Sequence, residues 1–269
     1  MRVVAGVVIL GLLATTGLHP QTARADEVLP DVCAQAKIFI EANRLELADS
    51  YAEQCYQQAG ASREVIIYGH YLRAVAQAGL NKPKEALEQL EILMQPQYTQ
   101  SPIYDRRSFG LKHLGGTQAS VHAEAARFSL VLGDADKGLR YAEKALTLAA
   151  LEPATHIDVA GSAYMLRARI RASRQDNLGG ARDLARAYVR GSQDPFVLEN
   201  MKTFPEVDQK TLEALKTRMM SAYSKYLSIY MLTGSVVSSL TYLNELKAEG
   251  DTLYQAVLAD ERAYLGPET

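Results

Sequence analysis

The stretch GDADKGLRYAEKALTLAALEP, residues Gly133–Pro153, combines a Gly-Asp turn, a helix-forming composition and a closing proline. Small residues recur within it at intervals of four and three, at Gly138, Ala142 and Ala145. Because this spacing places them on one face of a helix, a second helix can approach that face closely. The preceding segment supplies Ala125 and Ala126 as opposing small residues. The stretch therefore predicts a helical hairpin packed along an alanine-rich seam.

The same pattern, a turn followed by a seam on the next helix, occurs five times between residues 30 and 250. The turn residues and their seams are Asn43 with Ala48, Ala52 and Cys55; Gly79 with Ala86, Leu90 and Leu93; Gly133 with Gly138, Ala142 and Ala145; Gln175 with Ala181, Ala185 and Tyr188; and Gly234 with Ser239, Leu243 and Leu246. No stretch shows the alternation of a half-buried strand. Recurrence of one unit is typical of repeat architectures. We therefore expect an all-α chain of helical hairpins, with a generic helical bundle as the alternative.

These repeats resemble the tetratricopeptide repeat (TPR) family. Gly133–Pro153 matches the family's turn glycine, its small residues on the second helix and its closing proline. The family's bulky residue near the start of each first helix is matched by Tyr68, Tyr164 and Tyr223, with His122 and Val32 in the other copies. The chain has no tryptophan, and it replaces the family's mid-helix glycine by Ala36, Leu72, Ala126, Ala168 and Leu227. The resemblance implies an all-α, right-handed helical-hairpin solenoid with a C-terminal capping helix.

Two irregular segments interrupt the repeats, and each contains two prolines. One is residues 95–117, which we interpret as an insertion, and the other is Gly191–Val207. We expect repeats over residues 26–194 and a C-terminal hairpin within 195–269. An amphipathic helix at Asp251–Leu265 is expected to cap the array, since a helical array must cover its last apolar face.

The first 25 residues have the layout of a secretory signal peptide. Arg2 precedes an apolar run from Val3 to Leu18, and Ala23-Arg24-Ala25 forms a small-x-small cleavage site. An apolar run of about 16 residues is shorter than the ~20 needed to span a bilayer, so we expect cleavage after Ala25 rather than an uncleaved anchor. These features predict a periplasmic or secreted protein without a transmembrane segment after cleavage.

The chain contains two cysteines, Cys33 and Cys55. An even number of cysteines in an exported chain favours a disulfide, and both residues fall on what we expect to be one helical hairpin. Two buried free thiols are the alternative.

Charge and motif content favour a protein without an enzymatic function. Residues 26–269 carry 27 basic and 31 acidic residues, a balance that argues against nucleic acid as a partner. The histidines of this part, His70, His113, His122 and His156, are not at metal-ligand spacing, and no nucleophile or phosphate-loop motif occurs. We therefore predict no metal and no cofactor, and we expect His122 to be a packing residue.

A column of basic residues is the candidate binding surface. Counting six residues back from each expected turn gives Lys37, Arg73, Arg127, Arg169 and Ser228. The resemblance places this position on the inner, concave surface, where arginine could bind the carboxylates of an acidic peptide segment. The alternative is that these residues are solvated or pair with carboxylates of neighbouring repeats.

Arginines form a second cluster at Arg167, Arg171, Arg174, Arg182, Arg186 and Arg190, which we interpret as a solvated face paired with the neighbouring unit. A surface that contacts an acidic protein or an anionic lipid headgroup is the alternative. We expect an exported adaptor or scaffold that holds a protein partner of the bacterial cell envelope. A periplasmic protein that binds a small anionic ligand is the second hypothesis. A helical enzyme that cleaves cell-wall glycans is the third, because two carboxylates can converge in the fold without a sequence motif.

Overall fold

The structure is a computed structural model that describes residues 31–99, 117–151, 153–201, 208–232 and 240–267. Every regular element within these ranges is helical. The expected leader at 1–25, most of the insertion at 95–117 and the fifth turn at Gly234 lie outside the described residues. Side chains of residues 153–156 and 229–240 are likewise not described.

The described helices are α1 (Asp31–Glu41), α2 (Leu45–Gln57), α3 (Arg63–Gly79), α4 (Pro83–Leu93), α5 (Pro96–Thr99), α6 (Gln118–Val131), α7 (Ala135–Leu151), α8 (Pro153–Ser173), α9 (Asn177–Val189), α10 (Pro195–Met201), α11 (Gln209–Leu232) and α12 (Leu240–Leu265). Five helical hairpins are formed by α1–α2, α3–α4, α6–α7, α8–α9 and α11–α12. We call the members of each pair its first and second helix. The all-α prediction is confirmed.

Each hairpin packs against the next one along the chain. The second helix of each hairpin contacts the first helix of the following one: α2 with α3, α4 with α6, α7 with α8 and α9 with α11. First helices also contact one another, as α1 with α3, α6 with α8 and α8 with α11. The exception is α3 and α6, which make no comparably extended contact. The hairpins to which these two helices belong flank the 95–117 insertion, and a pocket lies between α3 and α6.

Four of the hairpins turn in the same way. The backbone φ is positive at Asn43, Asn81, Gly133 and Gln175, and the second helix begins two residues later in each case. At Gly133 the amide of the next residue, Asp134, donates to the carbonyl of Ser129 over 2.9 Å, as in a Schellman motif. Equivalent bonds run from Arg44 to Phe39, from Lys82 to Gln77 and from Asp176 to Arg171. One turn geometry therefore sets the relation of the two helices in all four hairpins.

The small-residue seam of the third hairpin is buried as expected. Ala142 and Ala145 are fully buried, as is Ala126 on the opposing helix. A methyl group added to Gly138 would lie 3.3 Å from the carbonyl oxygen of Ala126 and 3.3 Å from Ile170. This spacing is tighter than most side-chain contacts, so glycine is what permits the close approach of α6 and α7.

The C-terminal hairpin differs from the prediction at Gly250. We expected a separate capping helix that begins at Asp251, but α12 runs without interruption from Leu240 to Leu265. A methyl group added to Gly250 would lie 2.9 Å from the ring of Tyr226, so this glycine permits close packing and does not form a turn. Tyr226 is buried and donates a hydrogen bond to Asp251 over 2.7 Å.

The segment after α9, which we expected to be irregular, contains the short helix α10. Asp194 caps α10, since its carboxylate accepts a hydrogen bond from the amide of Phe196 over 2.8 Å. Val197 of α10 is fully buried. This part of the Gly191–Val207 segment therefore belongs to the packed body of the protein.

The predicted disulfide is present in the structure. Cys33 of α1 and Cys55 of α2 are bonded, with their Cα atoms 4.9 Å apart. Both residues are fully buried, so the bond joins the two helices of the first hairpin inside the core.

Candidate partner-binding pocket

A pocket of about 310 Å³ lies where α3, α6 and α8 meet. Its apolar walls come from all three helices and from α4, and include Tyr71, Leu90, Ala123, Phe128 and Val159. Tyr71, Leu90 and Phe128 are almost fully buried, which makes the floor of the pocket a part of the core. Its volume is at the lower end of the range for small-molecule sites, about 300–1,000 Å³.

Each first helix presents one of its faces to the pocket. The lining residues Tyr71, Val75 and Ala78 of α3 are spaced at four and three, and so are Ser120, Glu124 and Arg127 of α6. Asp158 and Ser162 of α8 follow the same spacing. Residues at these intervals share a helix face, so the pocket uses equivalent faces of consecutive first helices.

The start of α6 is fixed by a capping box, which sets the orientation of its pocket face. The hydroxyl of Thr117 accepts a hydrogen bond from the amide of Ser120 over 3.2 Å. The hydroxyl of Ser120 in turn accepts one from the amide of Thr117 over 2.7 Å. Such reciprocal bonds satisfy two amides that the first turn of a helix leaves unpaired.

Three charged side chains line the pocket. Glu124 and Arg127 pair with each other, because Nε and Nη2 of Arg127 both donate to one carboxylate oxygen of Glu124, over 2.9 and 2.7 Å. The guanidinium also lies 4.2 Å from the centroid of the Phe128 ring. Asp158 is exposed and makes no ion pair with any residue that the structure describes. The charged lining therefore has one unbalanced negative charge.

The predicted basic residues do not converge on this pocket. Only Arg127 lines it. Lys37 pairs with Glu41 over 3.7 Å, and Arg169 pairs with Asp194 over 3.2 Å. The partner-binding role of these side chains stays a prediction, because pairing within the chain does not test binding.

Arg73 requires a correction of register. We counted back from Gly79, but the positive-φ turn residue of the second hairpin is Asn81, and Gly79 is the last residue of α3. The position equivalent to Arg127 is therefore Val75, which lines the pocket. Arg73 instead binds two carboxylates of α2, Asp49 over 3.0 Å and Glu53 over 2.9 Å.

Two histidines of the first helices are buried and held by hydrogen bonds. Nδ1 of His70 donates to the side-chain oxygen of Gln89 over 2.8 Å, and the His70 ring stacks on Tyr56 with centroids 4.1 Å apart. Nδ1 of His122 donates to the carbonyl of Gln118 over 2.8 Å. Burial lowers the pKa of both imidazoles, and the charges of Arg73 and Lys144 respectively lower the pKa further. His122 is thus the packing residue that the sequence predicts.

We expect these histidines to make the protein less stable as the pH falls below neutral. In the unfolded chain they take up protons at their ordinary pKa of about 6.5, while in the folded protein their pKa is lower. The unfolded state then binds more protons, so the free energy of unfolding decreases with decreasing pH. Urea unfolding from about pH 7.5 to about 5.5 should show a smaller decrease for a His70→Asn, His122→Asn double variant. Identical pH profiles for the variant and the wild type would contradict the prediction.

Half of the second arginine cluster is buried, contrary to the predicted solvated face, whereas Arg174 is exposed and paired with Asp136 of the preceding hairpin as predicted. Arg167, Arg186 and Arg190 lie in the core with two buried carboxylates, Asp183 and Glu261. We call these five residues the buried charge cluster. The guanidinium of Arg167 donates to both oxygens of Asp183, each over 2.7 Å. Arg190 donates to Glu261 over 2.8 Å, and Arg186 lies 3.5 Å from the same carboxylate.

The buried charge cluster attaches α12 to the fourth hairpin, since Glu261 is on α12 and its arginine partners are Arg186 on α9 and Arg190 at the end of α9. Arg186 also donates to the carbonyl of Gly266, just after α12, over 2.6 Å. The sequence contained a signal for part of this arrangement, the i, i+4, i+8 spacing of Arg182, Arg186 and Arg190, of which the last two belong to the cluster. It contained none for Glu261 as the partner.

Within the described ranges, no three His, Cys, Asp or Glu side chains are grouped closely enough to hold a metal ion. No helix in the same ranges is both long and apolar enough to cross a membrane. Comparisons of the chain with protein-family models, with curated proteins and with solved structures found no match.

Proposed function

We propose that this chain is an exported TPR-like adaptor that holds a protein partner of a bacterial cell-envelope assembly in the concave groove of a right-handed hairpin solenoid. The repeated turn geometry and the stacking of consecutive hairpins support the TPR-like part of the proposal. The Cys33–Cys55 disulfide is compatible with an oxidising compartment outside the cytoplasm, and the signal-like sequence of residues 1–25 is consistent with export.

The observation that carries the proposal is the pocket between α3, α6 and α8. It is open and mostly apolar, and it combines equivalent faces of consecutive hairpins. Peptide-binding surfaces typically combine an apolar pocket for an anchoring side chain with polar groups at the rim that fix orientation. The lining residues of the pocket have this composition.

The alternative functions fit the pocket less well. A small anionic ligand would meet one arginine, already bound to Glu124, together with the carboxylate of Asp158. A glycan-cleaving enzyme needs one carboxyl that protonates the leaving group. Of the two pocket carboxylates, Glu124 accepts two hydrogen bonds from Arg127 and Asp158 is exposed, so neither lies in the apolar surroundings that favour a carboxyl general acid. We therefore favour a binding function.

Filling the pocket is expected to abolish partner binding. Ala78 is half-buried and lines the pocket, so an Ala78→Phe substitution would place a ring in the space that the partner occupies. Recovery of the partner with the tagged, exported protein after in-cell crosslinking should fall at least about tenfold, because the anchoring side chain is excluded sterically.

The matched control is Ala150→Phe, which adds the same ring at an exposed position of α7, a helix that does not line the pocket. This variant is expected to recover the partner as the wild type does. Equal recovery with Ala78→Phe, in a protein with an unchanged melting temperature, would place the binding surface elsewhere.

A further inference from the structure

The pocket lining has an excess of negative charge that comes from one residue. Glu124 and Arg127 neutralise each other through two hydrogen bonds. Asp158 accepts a hydrogen bond from the backbone amide of Val159 over 2.9 Å and has no basic partner among the described residues. A carboxylate at the edge of an apolar pocket attracts a cation, and the attraction is stronger there than in bulk water.

The surroundings of Asp158 suit a long cationic side chain. Asp158 and Ser162 are exposed on α8, so a bound segment can reach both. Val159 beside Asp158 is partly buried and contributes apolar surface to the pocket. Lysine and arginine bury their aliphatic stems along apolar surface while the charged end stays solvated or paired. Such a stem could pack on Val159 while its charge meets Asp158.

From this charge distribution we propose that the pocket recognises a segment of a partner protein in which an apolar residue lies next to a lysine or arginine. The apolar side chain enters the pocket between Tyr71 and Phe128, and the cation pairs with Asp158. The proposal rests on the proposed adaptor function, and it reverses the sequence-based expectation of an acidic segment. Arg127 is hydrogen-bonded to Glu124, so an acidic segment would have to displace Glu124 to reach it.

The test uses a photoreactive side chain with a compact diazirine group at Ser162, on the rim of the pocket, in the full-length exported protein. The same group at Glu143, on an exposed part of α7, gives the background. Crosslinked partner peptides are identified by mass spectrometry, and the crosslink yield at Ser162 is then compared in Asp158→Lys and Glu143→Lys variants. Both substitutions change the charge by the same amount at an exposed site.

We expect the Ser162 crosslink to map to a segment with a lysine or arginine beside an apolar residue. Asp158→Lys should lower the yield at least about tenfold, because it places like charges in contact, while Glu143→Lys should not lower it. Asp158→Asn, which keeps the size of the side chain, should give a smaller decrease and serves if Asp158→Lys does not fold.

The remaining outcomes separate the two proposals. If Ser162 crosslinks efficiently but the segment is acidic, or the yield survives the Asp158 substitutions, the charge proposal is wrong and the adaptor function stands. If the crosslink from Ser162 does not exceed that from Glu143, the pocket is not the binding site. The charge proposal then fails, and an adaptor would have to bind its partner at another surface.

Discussion

Glu261→Gln is expected to lower the free energy of unfolding by about 3–5 kcal/mol, the usual cost of removing one partner of a buried ion pair. Glu261 is only 1% exposed and faces two arginines, Arg190 over 2.8 Å and Arg186 over 3.5 Å. Glutamine has the same shape but no charge. The variant would leave the three buried guanidinium groups of the buried charge cluster with Asp183 as their one remaining carboxylate, and uncompensated buried charge is costly.

Urea unfolding followed by circular dichroism measures the loss, and Glu245→Gln is the matched control. Glu245 is on the same helix but exposed, so its substitution should change stability by less than about 0.5 kcal/mol. Hydrogen exchange should show that the loss in Glu261→Gln is greatest in α12, because Glu261 attaches that helix to α9. An effect of Glu261→Gln no larger than that of Glu245→Gln would mean that the cluster is solvated in solution.

The sequence predicts the hairpins well because their determinants are local. At Gly133 a turn glycine, a capping aspartate and three small residues lie within thirteen positions, and each has a direct structural consequence. The seams at Ala48, Ala86, Gly138 and Ala181 all belong to second helices that pack on their first helices as expected.

The exact position of the turn was predicted less well, because several residue types can occupy the same turn position. The turn residue with positive φ is an asparagine at Asn81 and a glutamine at Gln175, and neither residue type requires that conformation. Gly79 looked like the turn residue, but it is the last residue of α3, and the positive-φ position is Asn81. Counting from Gly79 instead of Asn81, two residues too early, placed Arg73 in the predicted column where Val75 belongs.

The pocket and the buried charge cluster could not be predicted, because each depends on the packing of distant segments. The pocket depends on the separation of α3 and α6, which no motif in either helix specifies. Arg190 and Glu261 are 71 residues apart in the chain. An arginine stripe has the same sequence pattern on a solvated face as in a core with carboxylate partners. Of the predicted basic column, only Arg127 lines the pocket.

Removing the disulfide by a Cys33→Ala, Cys55→Ala double substitution is expected to lower the free energy of unfolding by about 3 kcal/mol. The two cysteines are separated by 22 residues, and the crosslink limits the conformations of the unfolded chain over that loop. Urea unfolding of the purified protein with and without a thiol reductant measures the effect. The reductant should shift the midpoint of the wild type and leave that of the double variant unchanged.

Reduced wild type is the control that separates the crosslink from packing, because it keeps both buried sulfur atoms and lacks only the bond. If the reduced wild type is as stable as the oxidised protein while the double variant is not, the alanine substitutions act through lost packing and the crosslink contributes little. If the crosslink dominates, reduced wild type and double variant should lose similar stability. Hydrogen exchange should then increase first in α1, since its extended contacts are with α2 and α3. The pocket residues of α6 and α8 should keep their protection, because these helices pack on hairpins that the disulfide does not close.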